Sequence, residues 1–176
     1  SSSAAAGRKF AQAIMTTDTR LKQACERVRI GRSRVTVAGC CKGSGMIAPN
    51  MATMLAYLTT DAGIGAPDLR RMLMAAVEPT FNRVTVDECP STSDTIAIMA
   101  SGAAAALDSA KGREAFSSAL RAVCESLSWQ IVEDGEGATK VLEVTVRGAR
   151  TAHEAHTAAR AIAVSPLVKT AVHGGD

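Results

Sequence analysis

Apolar positions recur along this chain with two different periods, and the switches between them predict its elements. Residues 26–41 alternate, with Val35 and Val37 on one face and Arg34 and Thr36 on the other, the period-two pattern of a half-buried strand. Gly31, Arg32 and Ser33 break that pattern and supply the turn of a hairpin. Residues 53–60 are almost continuously apolar, as expected of a strand buried on both faces. The period then becomes helical. Ala66, Pro67 and Asp68 read as a helix start, Leu69, Met72, Leu73, Ala76 and Val77 share one face, and Pro79 interrupts the run. Residues 84–86 begin a strand and residues 95–100 form another. Residues 112–132 read as a long amphipathic helix, with Phe116, Leu120, Val123, Leu127 and Ile131 along one side. Alternation returns over 140–147, followed by an alanine-rich helix at 151–164 with Thr151 and Glu154 as its capping pair. Pro166 ends that helix, and 167–172 reads as a last strand. Residues 1–8 read as loose, and a short apolar stretch at 9–15 leads into the hydroxyl-rich cluster Thr16, Thr17, Asp18, Thr19.

Composition narrows the picture. The 176 residues are enough for one domain with a sizeable core, and 47% hydrophobic but only 3% aromatic residues mean that Ala, Val, Leu, Ile and Met build it. A net charge of +3, spread along the chain, does not argue for nucleic acid or a membrane surface. No apolar run reaches the roughly 18 residues of a membrane span, and SSSAAAGRKF lacks the apolar stretch of a secretion signal. Five cysteines without C-x-x-C spacing argue against a disulfide framework or a zinc site and for a reducing compartment. They read as small hydrophobes. His153 and His156 have helical spacing but no carboxylate or cysteine nearby to complete a metal site.

Candidate chemistry gathers in residues 42–62, KGSGMIAPNMATMLAYLTTDA, where a glycine-rich turn runs into the apolar strand and Thr53 stands at the junction. A threonine hydroxyl needs an adjacent base to act as a nucleophile. A threonine that becomes a chain terminus carries its own, because a free α-amine titrates at about 7.7–8.0. Thr53 would become a terminus by attacking the carbonyl of Ala52, with hydrolysis of the resulting ester. By residue type alone, a threonine that opens a strand is structural, Lys42 is a solvated lysine ending a strand, and the Thr16 cluster is a cap or turn. KGSG is not a phosphate-binding Walker loop, since its glycine spacing and lysine position are wrong. Glu133, Asp134 and Glu136 close the long helix, where acidic charge sits poorly against the helix dipole.

The string NMATML within this stretch, together with AIMTTDT at 13–19, STSDT at 91–95, EGATK at 136–140 and SPLVKTAV at 165–172, occurs in one order along the chain. In this it resembles the ornithine acetyltransferases, the glutamate N-acetyltransferases of arginine synthesis. That resemblance implies an α/β fold, a layered αββα sandwich of the aminopeptidase/ornithine-acetyltransferase (Ntn-hydrolase-like) type. It also implies self-cleavage between Ala52 and Thr53, which makes residues 1–52 the end of an α chain and residues 53–176 the start of a β chain.

The implied reaction moves an acetyl group from N-acetylornithine to glutamate through an acetyl-threonine on Thr53. Thr16, with Thr17 beside it, Lys42 and Glu136 would hold the substrate, the lysine suiting a carboxylate and the glutamate an α-ammonium group. No metal or organic cofactor is implied, and acetyl-CoA stays open as an alternative acetyl donor. The α and β chains of one precursor, assembled in a higher oligomer, are the implied partners, and the cytoplasm, or an organellar matrix in a eukaryote, the implied location. The resemblance further implies an incomplete catalytic domain, with the oxyanion-stabilising Thr-Gly pair and further substrate contacts outside this sequence. Ser93 stands where the family has Asn, Glu88-Cys89-Pro90 replaces a Gly-Asp type turn, and Cys41 precedes the lysine where Ala is usual. Two other readings remain: a self-processed amide hydrolase or aminopeptidase of the same fold, and a non-catalytic truncated domain.

Overall fold

A computed structural model describes residues 3–43, 54–85, 94–135 and 137–176. Helix α1 (Ala4–Ala13) leads into strands β1 (Lys22–Ile30), β2 (Ser33–Lys42) and β3 (Leu55–Thr60). Helix α2 (Ala66–Val77), strand β4 (Thr95–Ala100) and the long helix α3 (Ala110–Glu133) follow, then α4 (Ala152–Ala163) and α5 (Pro166–Gly174). The strands form one sheet in the order β1-β2-β3-β4. The first three run antiparallel, and β4 lies parallel to β3 after the crossover through α2.

The hairpin turns where expected. Gly31 takes φ 61, a left-handed conformation that costs glycine little, and Ile30 pairs directly with Ser33 across the turn. Val35, Val37, Ala56 and Leu58 are fully buried and meet Phe116, Leu120, Val123, Leu127 and Ile131 of α3, with Leu69 and Ala76 of α2 in the same core. Helix α3 therefore presents the face that its sequence period predicts. It lies over β1 and β2, with α2 packed alongside. On the opposite face of the sheet, Phe10 of α1 meets Tyr57 of β3 edge-on, with ring centroids 5.3 Å apart. The strand expected from residue 53 is assigned from Leu55, deeply buried on the α3 face and only partly covered on the other.

Several expectations are corrected. Residues 4–8 are helical rather than loose, because alanine is the best helix former and Ser3 caps the first turn by accepting from the Ala6 amide at 3.2 Å. Residues 167–172 are helix, not strand. Ser165 accepts from the Val168 amide, Pro166 takes the first helical position, and left-handed Gly175 closes the last turn. A short apolar run has no period of its own, and these flanking signals decide it. Residues 140–147 keep their alternation, with Leu142, Val144 and Val146 half-buried, yet among the described residues they join no sheet. Lys140 instead donates to the Val172 carbonyl at 2.6 Å at the end of α5. The α/β class thus stands, and of the αββα layers the described residues supply one sheet, covered by α2 and α3 on one face and touched by α1 on the other.

Candidate active site

The end of the sheet where β2 finishes is also where β1, β3 and β4 begin: Lys22 pairs with Cys41, Lys42 with Leu55, and Leu55 with Thr95. The threonine cluster between α1 and β1 lies at this end. Lys42, only 8% exposed, reaches it and donates from Nζ to Thr16 Oγ1 at 3.3 Å. The structure thus brings together two of the residues singled out from sequence, Thr16 with its exposed side and Lys42 with its buried ammonium. Ala52, Thr53 and Glu136 lie outside the described residues. Their described neighbours carry the chain to the same end. The Met54 amide donates to Asp94 Oδ1 at 2.8 Å, so the carboxylate of STSDT is engaged by the residue after Thr53.

Beneath this pair lies a charged cluster that sequence reasoning missed. Strand alternation places Lys22 and Lys42 on opposite faces of the sheet, Lys22 toward α3. The Lys22 side chain is fully buried and its ammonium lies between two carboxylates, Asp18 at 2.5 Å and Asp134. Asp18 also accepts from the Thr16 amide at 3.1 Å and the Gly43 amide at 3.0 Å. Asp134, at the end of α3, accepts from both the amide and the hydroxyl of Thr19. Each buried carboxylate is thus paired and hydrogen-bonded, which buried charges require. Burial by itself would push the Asp18 carboxyl up. The Lys22 hydrogen bond, the Gly43 and Thr16 amides and the Lys22 charge outweigh it and hold the group below its ordinary value of 3.8. The same balance holds for Asp134, where burial is opposed by Lys22 and Thr19. One signal in the sequence pointed here, the acidic end of α3 that conflicted with the helix dipole. Lys22 resolves that conflict.

A cavity of about 730 Å³ opens elsewhere, between α3, the 137–144 segment and helices α4 and α5, with Trp129, Leu142, His156 and Arg160 on its walls. Neither Thr16 nor Lys42 lines it, whereas Gly135 and Gly137, on either side of Glu136, do. Among the described residues no three His, Cys, Asp or Glu side chains converge as a metal site would need, and no helix is long and apolar enough to cross a membrane.

Comparisons with known proteins bear on this site. The chain is 51% identical over 170 residues to the arginine biosynthesis bifunctional protein ArgJ of Geobacillus stearothermophilus, a match covering 95% of this chain and 42% of that protein. It is 49% identical over 170 residues to the protein of the same name from Lactococcus lactis, covering 95% and 43% respectively. The chain therefore spans well under half the length of these curated relatives. Its fold is that of the crystal structure of the Bacillus halodurans arginine biosynthesis bifunctional protein, with a TM-score of 0.66 at 44% identity, over 70% of this chain and 59% of the other. The sequence model of the ArgJ family matches residues 1–176 from end to end, and the chain belongs to that family.

Proposed function

We propose that the protein carrying this chain cleaves itself between Ala52 and Thr53 and then transfers an acetyl group from N-acetylornithine to glutamate. The observation that carries this reading is the Lys42–Thr16 pair at the end of β2, directly beside Leu55, which follows Thr53 by two residues and pairs with Lys42. Membership of the ArgJ family, and the arginine-biosynthesis names of its relatives, support the substrate class.

Cleavage begins when Thr53 Oγ attacks the Ala52 carbonyl carbon. The peptide C–N bond breaks, the nitrogen takes up a proton, and an ester is left. Water then hydrolyses the ester, leaving a carboxylate on Ala52 and a free α-amine on Thr53. In the transfer reaction the amine takes the hydroxyl proton as Oγ attacks the acetyl carbonyl, and delivers it to the departing ornithine nitrogen. The amine of glutamate then attacks the acetyl ester, giving N-acetylglutamate and restoring the Thr53 hydroxyl. The Lys42 ammonium suits the substrate carboxylate, Thr16 supplies a hydroxyl beside it, and Glu136 suits an ammonium group. The two steps need neither metal nor organic cofactor. The two chains stay together in a larger cytoplasmic assembly.

A second reading has acetyl-CoA as the donor, favoured by the word bifunctional in the names of the curated relatives. The test is a denaturing gel of the full-length protein with its Thr53→Ala variant, followed by assays with each donor. Cleavage at residue 52 and ornithine release that depends on glutamate are expected, and both should vanish in the variant. Release that continues without an acceptor would make the protein a hydrolase. An uncut chain would make it inert.

A further inference from the structure

The cluster beneath Thr16 and Lys42 does more than satisfy its own charges. The loop from residue 14 to residue 21 wraps around the end of the sheet, from the α1 face, where Lys42 points, to the α3 face, where Lys22 points. Asp18 sits inside that wrap. One of its oxygens takes the Thr16 amide, and the other takes Lys22 together with the amide of Gly43, the residue after Lys42. Through Lys22 the network continues to Asp134, two residues before Glu136 in sequence, and Asp134 returns to the loop at Thr19. One buried network therefore joins three stretches, each of which carries or adjoins a residue expected to hold substrate.

A purely structural need at this position would be met as well by apolar side chains. Replacing a buried ion pair with well-packed apolar residues is commonly neutral or stabilising, since desolvating the charges is expensive. The amide partners chosen by the two carboxylates are those of Thr16, Thr19 and Gly43, all in the loops at the mouth rather than in the core strands. Charge-assisted bonds of this kind fix geometry as well as adding strength.

We infer that Asp18, Lys22 and Asp134 form a positioning clamp, which holds the Thr16 loop and the Lys42–Gly43 end of β2 in the arrangement that binds the amino-acid substrate. The inference rests on the proposed acetyl transfer for the identity of that substrate, but not for the existence of the clamp. Asp18 is the hub, and touches substrate only through the residues it places.

The test uses the full-length protein and its Asp18→Asn variant. Asparagine offers one acceptor oxygen in place of two, and leaves Lys22 paired with Asp134, so that the fold survives. Amide hydrogen exchange is followed at Thr16 and Gly43, with Val35 and Val37 as core references, alongside KM and kcat for N-acetylornithine. Exchange at Thr16 and Gly43 should quicken by about tenfold or more with the core references unchanged. KM should rise by about tenfold with kcat nearly constant, the signature of lost positioning in binding. The triple variant Asp18→Asn, Lys22→Met, Asp134→Asn leaves no unpaired buried charge, and should show the same two changes even if the single variant unfolds. Unchanged exchange at both amides would remove the clamp. Faster exchange with unaltered KM would make the cluster structural only. A protein that transfers no acetyl group before any substitution would contradict the proposed reaction, and the exchange measurement would still decide whether the clamp exists.

Discussion

Lys42 is a nearly buried ammonium whose hydrogen bond to the Thr16 hydroxyl leaves it capacity for further acceptors, because an ammonium has three donors. Lys42→Met keeps the length of the stem and removes the charge. It is expected to raise KM for N-acetylornithine about tenfold to a hundredfold in steady-state kinetics, the range for losing a hydrogen bond to a charged group. Asp18 and Asp134 give a second prediction. Both titrate below 3.8 in the folded chain. The stability they contribute is therefore complete above the unfolded value and lost as pH falls through the folded values. The urea midpoint should hold steady down to about pH 5 and fall below about pH 4, and the fall should be shallower in Asp18→Asn. A midpoint insensitive to acid in both proteins would contradict the paired carboxylates. Thr16 and Lys42 could be singled out in the sequence because each stands within a short string whose neighbours mark it, and the structure places their side chains together. Asp134 was not legible as a partner of Lys22, since 112 residues separate them and only the fold brings them together.

Among the elements, α3 was the easiest to read. Its apolar positions recur over about four turns of helix, long enough for the period to be unambiguous, and Phe116, Leu120, Val123 and Leu127 are fully buried where that period puts them. Leu127→Ala should cost about 2–5 kcal/mol in urea unfolding, the range for truncating a buried leucine. The contact between α3 and the sheet also depends on Gly39. A β-carbon there would lie 3.0 Å from the Tyr57 carbonyl oxygen and 3.2 Å from Leu127 Cδ1. Gly39→Ala should therefore destabilise by about 1–3 kcal/mol through overpacking, and a neutral substitution would show that the strand and helix are less tightly apposed. Helix α5 and the segment 140–147 were harder for a physical reason. Both are short, and a strand is made by its partner as much as by its own residues. The alternation of Leu142, Val144 and Val146 shows a face but not what the backbone bonds to. In α5 the deciding information lies in Ser165, Pro166 and Gly175, outside the apolar run itself.

At the scale of the whole molecule, the parallel pairing of β4 with β3 matters most. It brings the beginning of β4 to the end of the sheet that β2 leaves through Lys42, where the Thr16 loop also lies, while α2 and α3 cover one face of the sheet. That arrangement could not be read from the order of elements, because a hairpin and a crossover look alike until the strands pair. What the sequence carried at this scale was the ordered set of short strings, and these led to the family that the comparisons establish. The central claim is that the backbone breaks beside Thr53 and that its hydroxyl then carries the acetyl group. Mass spectrometry of the full-length protein, incubated with N-acetylornithine in the absence of glutamate, tests it most directly. The account predicts a peptide beginning Thr53-Met54-Leu55 that has gained one acetyl group and loses it when glutamate is added. An unbroken chain, or ornithine released with no acetyl group on that peptide, would contradict it.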